Sequence, residues 1–457
     1  MVENALQIIQ NKVTLSKINR FFTDEEISQL VEKYGTPLYL VDEEALHDKV
    51  LELNGAYEKF HGHVKIAYSI KANFNPSILK TFMKDNITFD LTSLGELFFI
   101  RELNINPENI VYTSVTEELD EYKQVLSYGI TRIVVSSYFG LVNLSQAANI
   151  VGIIPKVMVR MNPEVGVKAE VRASYKNGKF GVPLNGGKVD SAYFIVKSIF
   201  NNPLLEFEGF HFHLGSQITD FVCYVNALDR LNSLLNKLKK EIPNFSLKTL
   251  DIGGGTPVFY NEPVPTPSEM SSVYMEKLNN LVSFHGKFTL MIESGRYLVA
   301  ESSIMVSKIV NTKEYNDHKI VILDTGYHLL LDAALLKQEY PQEVISNNTN
   351  TNTNTNNHIY FSNSNKQYTG KNIHLVGRLC DTLDVFPTSK LSDLSYANVG
   401  NYILFYNVGA YSLVFNMPFH CQTKPPVLMK TCEGDIKLIR KGTSYKDLYE
   451  EEGGLIP

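Results

Sequence analysis

Lys71 and Cys380 are the two residues whose types and surroundings could do chemistry together. Lys71 ends the apolar run Val64-Lys65-Ile66-Ala67-Tyr68-Ser69-Ile70-Lys71. A lysine amine at a strand end can carry an aldehyde cofactor as a Schiff base. Cys380 lies in Gly377-Arg378-Leu379-Cys380-Asp381-Thr382-Leu383-Asp384. Its thiol can supply a proton, and the acids after it can grip a cationic substrate. Apart, each residue means little; together they suggest chemistry on an amino acid held by such a cofactor.

Three further segments carry candidate groups. Leu250-Asp251-Ile252 runs into Gly253-Gly254-Gly255, where missing side chains let backbone N–H groups approach a phosphate. Met291-Ile292 runs into Glu293-Ser294-Gly295-Arg296, whose arginine could pair with the same phosphate. A glycine triplet is more often a turn, and a glutamate there can be an ordinary surface acid. In His211-Phe212-His213-Leu214-Gly215-Ser216-Gln217 the two histidines share one face of a strand. His213 could stack on a planar ring, Ser216 could donate to phosphate, and His211 reads as a satisfied structural histidine. His-x-His could begin a metal site, but no third ligand is evident, so no metal is expected.

These residues need a frame. Apolar, β-branched runs recur at Val64–Ser69, Ile87–Leu91, Ile110–Thr113, Arg132–Val135, Lys156–Arg160, Leu205–His213, Leu247–Ile252 and Thr289–Ile292. Helical spacing such as Phe221–Lys240 fills the gaps. Eight βα units predict an α/β fold, a (β/α)₈ TIM-type barrel over 45–302, with an open doubly wound sheet as the alternative. In such a barrel the loops at the C-terminal strand ends build the site, and phosphate often sits after strands seven and eight. The pattern then changes to strand-like runs Ile304–Val310, Lys319–Leu323, Asn372–Val376 and Tyr402–Tyr406, which predict an all-β domain over 303–457. The strand-like Pro37–Val41, within an N-terminal segment 1–44, is expected to join that sheet. The Asn/Thr alternation at 346–357 cannot bury apolar area and is expected to be a disordered loop.

Bulk composition excludes several classes. The chain has 457 residues, 44% hydrophobic and 20% charged, with a formal net charge of −6. That balance favours neither nucleic acid nor an anionic membrane surface. Four cysteines in a chain of this length make no disulfide framework. Met1–Leu15 lacks the apolar core of a signal peptide, and no apolar stretch nears the roughly 20 residues of a membrane span. A cytoplasmic location is expected.

Lys71 in Tyr68-Ser69-Ile70-Lys71-Ala72-Asn73, the His213–Ser216 run, Gly253–Gly255, Glu293–Arg296, Cys380-Asp381 and Gly409-Ala410-Tyr411 occur in one order. That order resembles the fold-type III pyridoxal-phosphate (PLP) decarboxylases, the diaminopimelate and ornithine group, across nearly the whole chain. The likeness implies pyridoxal 5'-phosphate as cofactor, a small amino-acid substrate and a homodimer with shared active sites. It implies Lys71 as the Schiff-base lysine, and Asp90 with Arg160 as a pair under the cofactor. It gives His213 to the ring face, Ser216, Gly253, Gly254, Gly255, Gly295, Arg296 and Tyr411 to the phosphate region, and Glu293 to the ring nitrogen. Cys380, from the partner subunit, would deliver the proton after CO₂ leaves. Arg296, Asp381, Asp384 and Tyr411 are the candidate substrate contacts.

The substrate is less legible. The segment Phe210–Ile218 and the entry Tyr34–Asp42 look most like diaminopimelate decarboxylase. That group usually grips a substrate carboxylate with Arg-Pro-Ala-Leu-Tyr, where this chain has Asp332-Ala333-Ala334-Leu335-Leu336. An aspartate there is expected to repel a carboxylate. An acid at 381 suits any substrate with a distal amino group, so ornithine, lysine or another basic amino acid is the alternative. Two other classes compete: a regulatory relative without PLP, opposed by the retained Lys71, Glu293, Cys380 and Tyr411, and a racemase of the same barrel type, opposed by Glu293.

Overall fold

The computed structural model describes residues 18–169, 171–186, 188–316, 318–346, 358–359, 372–388, 392, 394 and 397–454. The expectations for Met1–Leu15 and for the Asn/Thr run beyond Ser346 lie outside them. The chain divides into two units. One contains Asp48–Pro257 and Val264–Gly295; the other contains Lys12–His47, Val258–Pro263 and Arg296–Pro457.

The first unit is a closed parallel barrel. Its strands are His63–Ser69, Thr88–Leu91, Ile110–Thr113, Arg132–Val135, Lys156–Asn162, Glu206–His211, Thr249–Asp251 and Thr289–Ser294. Each pairs in parallel with the next, and Thr289–Ser294 pairs with His63–Ser69, which closes the ring and eliminates the open-sheet alternative. Strands covered on both faces must be apolar throughout, which is why they read as unbroken runs. Ala67, Val111, Val134, Met158 and Met291, from five different strands, fill the core with no solvent exposure.

The intervening helices bury one face each. Pro76–Lys84 starts where Asn75 accepts from Ser77 N–H and Pro76 pre-sets the first turn; Ile78, Leu79 and Phe82 then face inward. Pro267–His285 starts with a Thr266/Glu269 capping box. Val222–Glu241 covers the predicted helix with one-residue shifts at each end.

The second unit is mainly sheet. The long strand Ser303–Tyr315 runs antiparallel to Leu38–Asp42, to Tyr402–Tyr406 and to His318–Leu323. His318–Leu323 is extended by Asn372–Val376 in parallel. On the other side Leu38–Asp42 pairs with Val427–Lys430, which pairs with Ile436–Arg440. No helix among the described residues is long and apolar enough to cross a membrane.

Candidate active site

Lys71 sits on the short turn Ile70–Ala72, directly after the first barrel strand, with its side chain exposed. Tyr68 Oη donates to Asn73 O at 2.8 Å and pins the turn. A Cβ on Gly295 would lie 3.0 Å from Ala72 Cβ and 3.3 Å from Ser69 O. Gly295 therefore allows close packing behind the lysine turn.

Beside that turn, strand ends bring together a buried set of titratable groups. Ser69 Oγ donates to Asp90 Oδ2 at 2.8 Å, while Asp90 Oδ1 has no hydrogen-bond partner. Burial, and then the Glu293 charge, push the Asp90 carboxyl up to about 7. The Arg160 guanidinium lies over the Phe180 ring at 4.5 Å. One atom from each of His211, Asp251 and Glu293 lies within 4.8 Å of the others. His211 Nε2 is 3.2 Å from Glu293 Oε1 without hydrogen-bond alignment, and neither ring nitrogen has a hydrogen bond. His211 is thus not the satisfied histidine the sequence suggested, and Asp251 completes the three-residue group that no spacing disclosed.

The electrostatics of this group resolve into one ionised carboxylate. Burial alone would raise Glu293, but His211, His213 and Lys71 outweigh it and hold it below the usual carboxylate range. Burial lowers the pKa of both histidines, and the standing cations facing this group are Lys71 and Arg160. Asp251 is pushed the opposite way, first by burial and then by Glu293. Like charges packed this closely in low dielectric cannot all persist, so Glu293 keeps its charge while Asp251 gives its up and Asp90 is only partly ionised near neutral pH.

His213 follows the sixth strand. Its Nδ1 accepts from Gly254 N–H at 3.0 Å, and burial pushes its imidazole down to about 3. Of the three glycine amides expected to face phosphate, two are already engaged: Gly253 N–H donates to Asp251 Oδ1 at 2.8 Å, and Gly254 N–H donates to His213. The Gly255 N–H makes no hydrogen bond to described residues. Gly255 has φ +117°, and a Cβ there would come within 2.7 Å of Ile218 Cδ1 and 2.8 Å of Gly215 O. Ser216 lies nearby in sequence, half-buried, on a two-residue strand paired with Val171–Arg172. The hydroxyls of Thr256 and Ser294 are buried and unbonded, and neither was singled out from sequence.

Arg296, Tyr411, Cys380, Asp381 and Asp384 belong to the second unit. Arg296 Nη1 donates to Tyr260 Oη at 3.2 Å, and its guanidinium lies 4.8 Å from the Tyr411 ring centre. Asp332 Oδ2 lies 3.6 Å from Arg296 Nη1. The aspartate read from sequence as a bare repellent charge is in fact the arginine's buried ion-pair partner. Tyr260, also missed, was hidden because it sits in the buried apolar run Val258–Tyr260, far from the arginine in sequence.

Cys380 is exposed, and its backbone N–H donates to His420 Nδ1 at 3.4 Å. Asp381 accepts from Tyr327 Oη at 3.1 Å and from Leu383 N–H at 2.8 Å. Asp384 was expected to touch substrate, yet it is buried and accepts from Leu379 N–H and Tyr327 N–H, both at 2.7 Å. Its carboxylate staples the loop that presents Cys380.

Comparison with known proteins extends this picture. Residues 47–300 match the family model for the pyridoxal binding domain of the pyridoxal-dependent decarboxylases. Diaminopimelate decarboxylase of Aquifex aeolicus is 27% identical over 435 residues, covering 94% of each chain. Diaminopimelate decarboxylase of Methanocaldococcus jannaschii is 25% identical over 459 residues, covering 98% of each chain. The crystal structure of the Helicobacter pylori enzyme complexed with L-lysine superposes with a TM-score of 0.80 at 26% identity, covering 94% of this chain and 100% of that one.

Proposed function

The chain belongs to the pyridoxal-dependent decarboxylase family, and from that premise we propose that it converts diaminopimelate to lysine by removing one carboxylate as CO₂. The observation that carries the chemistry is Glu293, a buried carboxylate held ionised at the C-terminal end of a barrel strand. An ionised carboxylate there can hold a proton on a ring nitrogen.

The residues present fit pyridoxal phosphate. Gly253–Gly255 pack too closely against neighbouring backbone for any side chain, and the Gly255 amide is open to an anion. Buried polar atoms of Asp90, Asp251, His211 and Ser294 lack hydrogen bonds. Lys71 would hold the cofactor's aldehyde carbon, Glu293 its ring nitrogen, His213 its face and Gly255 with Ser216 its phosphate. When bound, the cofactor supplies the electron sink for the pair released as CO₂ departs.

The protein's own part is orientation and proton handling. Neutral His213, its Nδ1 tied to Gly254, presents a flat uncharged ring with its proton on Nε2. Glu293 keeps its charge without competition from Asp251 or Asp90. Asp381 is a cation acceptor for the distal ammonium, steadied by Tyr327. Cys380 gives its Sγ proton to the carbon that loses CO₂ and is recharged from solvent. Cys380 reaches the site from a second copy of the chain, so the working enzyme is a homodimer in the cytoplasm.

Asp332 favours a second reading, a diamino acid without a distal carboxylate, such as ornithine or lysine. A decarboxylation panel of diaminopimelate, ornithine, lysine and arginine tests both. Diaminopimelate is expected to give lysine with the highest kcat/KM. Turnover of ornithine or lysine with diaminopimelate untouched would contradict the first reading.

A further inference from the structure

We propose that Asp332 is a built-in competitor for the Arg296 guanidinium, so that an oxyanion, phosphate or carboxylate, binds at Arg296 together with a proton taken up at Asp332. Both side chains are buried, 8% and 7% exposed, with Nη1 and Oδ2 3.6 Å apart. That distance exceeds a hydrogen bond, and Asp332 Oδ2 and Arg296 Nε each lack one. The pair is close enough to neutralise charge and too loose to satisfy either partner.

Asp332 is held in place. It lies on the short helix Leu331–Leu335, and its carbonyl accepts from Leu336 N–H at 2.9 Å and Gln338 N–H at 3.1 Å. Its backbone is therefore fixed beside the arginine. The charged and titratable groups facing the pair are Tyr260, Tyr340 and Tyr411. The Tyr340 phenol is pushed well up by burial, so Arg296 is the one cation among these groups. A ligand oxyanion would satisfy Nε but would leave two negative charges on one positive charge in a buried setting. Protonation of Asp332 relieves that conflict and turns its carboxyl into a donor. Burial, opposed by Arg296, already pushes Asp332 upward, in the direction that makes protonation accessible.

The inference rests on the decarboxylase reading only for the source of the anion. Sulfate and acetate, neither of which titrates above pH about 5.5, serve as tetrahedral and planar probes on the protein freed of pyridoxal phosphate. Calorimetry in two buffers of different ionisation enthalpy counts protons. Sulfate binding to the parent is expected to take up a proton and to weaken as pH rises, toward about tenfold per unit. Asp332→Asn, and Asp332→Ser as a second variant, should bind sulfate at least about tenfold more tightly at pH 8, with no proton uptake. Arg296→Gln should lose the site. Tighter acetate than sulfate binding would assign the site to a substrate carboxylate, and the reverse to a phosphate. Equal affinity in parent and Asp332 variants, absent proton uptake, or sulfate binding retained in Arg296→Gln would each overturn the proposal. None of these readouts depends on diaminopimelate turnover.

Discussion

His213 Nδ1 accepts the Gly254 N–H at 3.0 Å, so the ring expected to face the cofactor is locked to the glycine turn expected to face its phosphate. His213→Ala leaves that amide unbonded and should cost about 1–3 kcal/mol of stability in urea denaturation. His213→Asn can still accept the bond and should recover much of the loss. Both variants should bind pyridoxal phosphate more weakly. If Asn restores cofactor affinity as fully as it restores stability, the ring itself contributes nothing to binding.

Asp90 and His213 have opposite effects on acid stability. The folded Asp90 carboxyl sits at about 7 against a usual value of 3.8, so between these limits the folded state binds the extra proton and stability falls as pH rises. The folded His213 imidazole sits at about 3 against 6.5, so there the unfolded state binds the extra proton and stability rises with pH. The two slopes oppose one another where they overlap. Asp90→Asn should therefore steepen the rise of stability with pH, by up to about 1.4 kcal/mol per unit between pH 4 and 7. Denaturant titrations of the cofactor-free protein across that range check it; an unchanged slope would place the Asp90 proton elsewhere.

A Cβ at Gly254 would lie 2.7 Å from Glu293 O, a backbone atom of the strand Thr289–Ser294 that carries the proposed ring-nitrogen partner. Gly254→Ala should cost about 1–3 kcal/mol and weaken cofactor binding, because strand and turn must separate. Gly95→Ala, where the nearest atom is 3.7 Å away, should be neutral or slightly stabilising when both variants are compared by thermal unfolding. Equal effects at both positions would show that the turn can relax.

Asp384 accepts two backbone N–H bonds at 2.7 Å within the Cys380 loop. Asp384→Asn keeps one acceptor and turns an NH₂ toward the other amide, a loss of about 1.5–3 kcal/mol in loop order. Turnover should fall through kcat, with cofactor affinity unchanged. A rise in KM alone would return Asp384 to substrate binding.

The frame of this protein was readable because its barrel strands are buried on both faces. Ile110–Thr113 and Arg132–Val135 match their apolar runs residue for residue. Leu205–His213 was read too long because Phe212 and Leu214 stay buried after the strand ends at His211. Pairing across the fold was harder. Asp251 meets Glu293 and His211 only once the barrel closes, and an acid at a strand end looks the same with or without such partners. Asp332 was read as an isolated charge because its arginine arrives from a different segment. Asp384 was misread for a different reason: an acid after a cysteine suggests a ligand, whereas this one closes its own turn.

The most direct measurement is borohydride reduction of the pyridoxal-phosphate-bound protein followed by peptide mass mapping. Reduction converts a Schiff base to a stable amine and marks the lysine that holds the cofactor. The account predicts the pyridoxyl group on the peptide containing Lys71, and none after Lys71→Ala. Label on another lysine of the parent, or no label at all, would contradict it.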